Sequence, residues 1–84
     1  MRELELFGTL GCHLCDDAEQ LLVAQVDPAL FAVYQVDIAD DDQLLERYAE
    51  RIPVLLDVAS GQELNWPFDA TTLQAFLTSL ALED

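Results

Sequence analysis

Residues 8–17 read GTLGCHLCDD and contain both cysteines of the chain and its single histidine. Cys12 and Cys15 have the i, i+3 spacing that brings two side chains to one side of a helix. A pair so placed suits a redox dithiol, part of a metal site, or two small buried residues. A zinc site asks for about four ligands. Cys12, Cys15 and His13 fall short of that, and a histidine between the two cysteines is poorly placed to join them on one ion. No metal is expected. Two merely structural cysteines leave the glycines at 8 and 11 without a reason.

The surrounding elements must position the thiols. RELELF (2–7), with Leu4 and Leu6 alternating with glutamates, predicts a strand. GTLG breaks it. Leu14, Ala18, Leu21 and Leu22 then recur at helical spacing, and the helix should stop before Asp27-Pro28. Cys12 falls at the start of that helix, where the dipole is positive and backbone N–H groups lack intrahelical partners. Both effects favour a thiolate, whose pKa in such settings falls from about 8.5 into the range ~4–7.5. Cys15, one turn on, continues an inward side through Ala18 and Leu22 and should be more buried. An exposed attacking thiol and a sheltered resolving thiol would follow. His13, when protonated, favours the thiolate; Asp16 and Asp17 help the helix start but oppose charge at Cys12.

LFAVYQVDI (30–38) is aromatic and β-branched and predicts a second strand. ADDDQLLERYAER (39–51) opens with a candidate capping box, Asp40 paired with Gln43. Arg47 and Arg51 suit the negative end of that helix, and Leu44, Leu45, Tyr48, Ala49 and Ile52 mark its apolar face. PVLLDV (53–58), the turn ASG and QELNW (62–66) predict a hairpin. Asp69 is placed to cap a last helix with Leu73, Phe76, Leu77 and Leu80 inward. Trp66 and Phe68 are expected in the core. The helical crossover makes the first two strands parallel and the hairpin makes the last two antiparallel. The fold class is α/β, a four-stranded mixed sheet in one domain spanning residues 1–84.

Seventeen acidic residues stand against three arginines, a net charge of −14. That opposes nucleic acid and anionic membranes, which both require cations. Hydrophobic residues form 52% of the chain, too many for disorder. No apolar run approaches a membrane span, and MRELELF lacks the apolar core of a signal peptide. The chain is therefore expected to be cytoplasmic and monomeric, where paired cysteines are reactive more often than structural. A cytosolic C-x-x-C beside a βαβ pattern reads as a redox motif.

A second feature lies far along the chain. RIPVLLD (51–57) puts Ile52-Pro53 at the start of the third strand. Together with LFGTLGCHLCDDAEQLL, VDI and RYAERIPVL, it resembles the thioredoxin superfamily, and within it a bacterial family of small glutaredoxin-like proteins of unassigned substrate. The resemblance covers nearly the whole chain and implies a βαβαββα glutaredoxin-like fold. It further implies that Pro53 is cis and faces the cysteines, and that the backbone of Ile52 pairs with an extended substrate segment.

The activity implied is thiol–disulfide exchange through Cys12 and Cys15, on a disulfide-containing protein or a small thiol, with an external dithiol reductant and no bound cofactor. Glutaredoxins proper hold glutathione with basic residues, a Thr-Val-Pro segment and a Gly-Gly-Asp turn. Here the counterparts are Arg51-Ile52-Pro53 and NWPFDATT, without paired glycines. Only Arg51, with Arg47 behind it, is placed to meet a glutathione carboxylate, and the net charge repels that tripeptide. A protein dithiol is an equal candidate as reductant. The competing reading is a non-catalytic scaffold that docks a partner through its acidic surface or the Ile52-Pro53 edge.

Overall fold

The strand that carries the chain toward its cysteines is also a central strand of the sheet. In the computed structural model, which describes residues 1–82, the chain runs β1 (Arg2–Gly8), α1 (His13–Gln25), β2 (Phe31–Asp37), a 3-10 turn (Ile38–Asp40), α2 (Asp42–Tyr48), β3 (Val54–Asp57), β4 (Glu63–Asn65) and α3 (Ala70–Leu82). The sheet order is β2-β1-β3-β4. β1 pairs in parallel with β2 and antiparallel with β3, and β3 pairs antiparallel with β4. This is the expected four-stranded mixed sheet of a thioredoxin-like fold.

Strand alternation divides the apolar residues between two faces. Leu4, Leu6 and Leu55 pack with Ala18 and Leu22 of α1 and with Leu73, Leu77 and Leu80 of α3. Phe7 and Val54 face the other way, against Ile38 and Tyr48. Phe68 is buried and Trp66 packs beside it edge-on, with ring centroids 5.0 Å apart, so both serve the core. Asp69 caps α3 by accepting from the Thr72 N–H at 2.8 Å.

The structure corrects several local expectations. The cap of α2 is Asp41, not Asp40: its carboxylate accepts from the N–H groups of Gln43 and Leu44. Asp37 caps the preceding 3-10 turn, and burial of Ile38 there delays the helix by one residue. Gln43 is therefore not three residues beyond the cap, and the capping box does not form. α2 is also shorter than the apolar spacing suggests. After Tyr48 the chain turns, and the N–H groups of Arg51 and Ile52 both donate to the Tyr48 carbonyl. Leu45 and Ala49 lie on the exposed side. In α1, Leu14 points outward, 49% exposed, and Cys15, Ala18 and Leu22 form the buried stripe.

The charged chain also buries an ion pair. Asp57, at the end of β3, is fully buried. Arg2 Nε donates to its Oδ1 at 2.9 Å and Arg2 Nη2 to its Oδ2 at 2.7 Å. Arg2 Nη1 reaches the Leu80 carbonyl of α3 at 3.0 Å, and Ser60 donates its N–H to Asp57 Oδ2 at 3.1 Å. The Arg2 hydrogen bonds hold the Asp57 carboxyl below the ordinary carboxylate range against the opposing effect of burial, and Ser60 adds to them.

Removing one partner of such a pair leaves an uncompensated charge and typically costs ~3–5 kcal/mol. Arg2→Met should lower stability by about that amount in urea unfolding. The sign with pH follows from the lowered pKa. The stability that Asp57 contributes is complete above the ordinary carboxyl value near ~3.9 and drains away as pH falls through the lower folded value. The gap between wild type and Arg2→Met should therefore be widest at neutral pH and close in strong acid. The cap is tested separately: Asp41→Ala should cost about 1 kcal/mol, and Asp40→Ala less than half of that.

Candidate dithiol site

Gly8 ends β1, and the loop Thr9–Gly11 leads to the helix; Gly11 adopts φ 79°, a conformation that suits glycine. Cys12 then stands at the N-cap of α1 in extended conformation. Its Sγ accepts from the Cys15 N–H at 3.1 Å, and its carbonyl accepts from the Asp16 N–H at 3.2 Å. A sulfur thus fills the place usually taken by a serine or aspartate oxygen. Cys12 and Cys15 are joined as a disulfide with Cα atoms 5.2 Å apart. Cys15 is buried and Cys12 half-buried. The asymmetry expected from helix periodicity is present.

What seats Cys15 is the absence of a side chain opposite it. A Cβ built on Gly8 would lie 3.0 Å from Cys15 Sγ and 3.2 Å from its Cβ. The glycine allows the first turn of α1 to settle against the end of β1. Sequence reading gives Gly8 a role as a strand breaker; only the packing reveals it as the floor under the second sulfur.

The remaining candidate residues divide. His13 is the first residue of α1 and exposed. The Ile52–Pro53 peptide is cis, as is Trp66–Pro67. Pro53 is buried and its carbonyl accepts from the Trp66 N–H at 3.3 Å. Continuing the β1–β3 register one step beyond Phe7–Val54 sets Pro53 beside Gly8. The sheet thus brings the Ile52–Pro53 corner to the end of β1 from which the cysteines emerge. The Ile52 N–H is donated to the Tyr48 carbonyl at 3.1 Å, so a substrate strand would not find that donor free.

Arg51 is committed to β4. Its Nη2 donates to Glu63 Oε1 at 2.7 Å and to Asn65 Oδ1 at 2.9 Å, and its guanidinium lies 5.0 Å from the centre of the Tyr48 ring. The Tyr48 hydroxyl donates to Glu63 Oε2. Burial, aided by Glu63, raises the Tyr48 pKa; the Tyr48 hydrogen bond, with Arg51, lowers that of Glu63. Tyr48 packs on Phe7 with centroids 4.6 Å apart. This cluster braces β4 against α2, and sequence reading found no role for Tyr48 beyond packing.

Beside Cys15 a cavity of about 280 Å³ opens between α1 and β2. Gly8, Thr9, Cys15, Asp16, Glu19 and Asp37 line it, so its charged groups are carboxylates. Among the described residues no group of three or more His, Cys, Asp or Glu side chains is arranged to hold a metal ion. None of their helices is long and apolar enough to cross a membrane.

The glutaredoxin-like domain model (DUF836) matches residues 3–78. Among solved structures, the X-ray structure of the structural-genomics target protein XcR50 from X. campestris is 43% identical, with 90% of this chain and 96% of that chain covered and a TM-score of 0.79. The solution structure of XcR50 gives 42%, 94%, 95% and 0.77 for the same quantities. Protein Ne2328 from Nitrosomonas europaea, solved by NMR, is 29% identical, with 89% of each chain covered and a TM-score of 0.75. Comparison with the curated proteins gives no match. A paired Cys-x-x-C at the start of the first helix, on this sheet and within this match, marks redox thiol chemistry, and the chain belongs to the glutaredoxin-like domain family of the thioredoxin superfamily.

Proposed function

We propose that the protein is a thiol–disulfide oxidoreductase in which Cys12 attacks and Cys15 resolves. The observation that carries this reading is the capping geometry. Cys12 Sγ sits at the start of α1, facing the Cys15 N–H at 3.1 Å, while Cys15 lies buried behind it. A negative charge on Cys12 would be held by that N–H and by the positive end of the helix.

In the reduced protein the Cys12 thiolate attacks one sulfur of a substrate disulfide. The substrate S–S bond breaks, a mixed disulfide forms on Cys12, and the leaving thiolate takes a proton from solvent. The Cys15 thiolate then attacks Cys12 Sγ. The mixed disulfide breaks, the second substrate sulfur departs as a thiolate and takes up a proton equivalent to the one Cys15 gave up, and the Cys12–Cys15 disulfide remains. The substrate gains two electrons and the protein loses two, which an external dithiol must restore. The Ile52 carbonyl, just before β3, is the proposed backbone contact for a substrate, and the buried Pro53 is proposed to shape the chain there. His13, exposed at the first position of α1 next to Cys12, is the proposed tuning residue. Arg51 is a weak candidate for substrate carboxylates because Glu63 and Asn65 occupy it. A soluble, cytoplasmic setting suits this chemistry, since it keeps the dithiol supplied with reductant.

Cys12→Ser should abolish reduction of 2-hydroxyethyl disulfide, and Cys15→Ser should accumulate a mixed disulfide on Cys12, detectable by mass spectrometry. The alkylation rate of Cys12 against pH should show a midpoint below the ~8.5 of a free thiol. A midpoint at or above that value would sink the catalytic reading and favour a docking scaffold. Gly8→Ala should crowd the position that the disulfide fixes for Cys15, while a free thiol can rotate away. We expect a stability loss of ~1–3 kcal/mol and a couple that is more readily reduced, measured by equilibration in glutathione redox buffers.

A further inference from the structure

The cavity beside Cys15 is one half of a longer trough. A second depression, of about 350 Å³, shares Leu6, Glu19 and Gln35 with it and runs on between α1 and β2 as far as Pro28. Its walls are apolar: Leu22, Val26, Phe31 and Val33 line it, and Val23 stands at the rim, 80% exposed. The half that reaches Cys15 carries Asp16, Glu19 and Asp37, and no basic residue lines either half. Arg2 is spent on Asp57, Arg51 on Glu63 and Asn65, and Arg47 lies against Tyr48. β2 is an edge strand of the sheet, so the trough lies at its open margin.

We infer that this trough seats an extended, positively charged segment of a protein substrate beside the disulfide presented to Cys12. The inference rests on the exchange reading above. An apolar channel ending in carboxylates matches lysine and arginine, whose aliphatic stems pack on apolar surface while the charged head reaches an anion. Charge complementarity selects this occupant. A second copy of a chain with net charge −14 brings the same sign of charge, and so does a glutathione carboxylate.

The test uses the reduced full chain and three peptides of one sequence. Each carries a single cysteine blocked with 2-mercaptoethanol and flanked by Val and by Lys, Ala or Glu. At low salt the Lys peptide should react about tenfold faster than the Ala peptide and the Glu peptide more slowly, and the spread should shrink as salt rises. The double substitution Asp16→Asn, Glu19→Gln should cut the Lys preference to about a third, and Val23→Arg should reduce it as well. Glu46→Gln, Glu50→Gln makes the same change in net charge on α2 and the turn behind it, and should leave the preference intact. Equal rates for the three peptides, or equal losses in the two double variants, would overturn the inference. The neutral 2-hydroxyethyl disulfide separates the two readings. If it is reduced while the peptides show no charge preference, only the trough assignment fails. If wild type does not reduce it, the exchange reading fails too.

Discussion

The buried fork between Arg2 and Asp57 is the interaction on which the rest of the sheet depends. A fully buried carboxylate is untenable without a partner. Its partner is the first residue of β1, fifty-five residues away. The same guanidinium holds a carbonyl of α3, and the same carboxylate holds the turn after β3. Four segments are thereby pinned at one end of β1. The other end, about 20 Å away at strand rise, carries Gly8 and the loop to the cysteines. The two ends share one register, and that register decides what lies beside the sulfurs.

At that second end the controlling constraint is space. Gly8 leaves room for Cys15, and Cys15 donates its backbone N–H to the sulfur of Cys12. One missing side chain therefore sets both the burial of one thiol and the hydrogen bond to the other. Cations play little part. Each of the three arginines is engaged away from the dithiol, while carboxylates border the cavity that reaches it. In the proposed mechanism, stabilisation of negative charge at Cys12 then falls chiefly to the helix start, where His13 is the first residue.

Much of the fold was legible in the sequence because its signals are local. Alternation in RELELF, the punctuation of GTLG, the aromatic and β-branched run to Ile38 and the capping aspartate at 69 each act within a few residues. The misreadings arose where several local solutions compete. Asp37, Asp40, Asp41 and Asp42 can each start a helix, and burial of Ile38 chose Asp41. Leu45 and Ala49 have helical spacing with Tyr48, but the face was set by what Phe7 and Val54 present.

The sequence by itself determined the dithiol, its place at a helix start, the order of strands and helices and the shortage of cations. These follow from residue type and spacing. The tertiary structure alone decided that Gly8 underlies Cys15, that Arg2 neutralises Asp57, that Arg51 turns to β4, and that Asp16, Glu19 and Asp37 line one cavity. Each of these depends on how separate elements are set against one another, through the pairing of β1 with β2 and β3 and of β3 with β4.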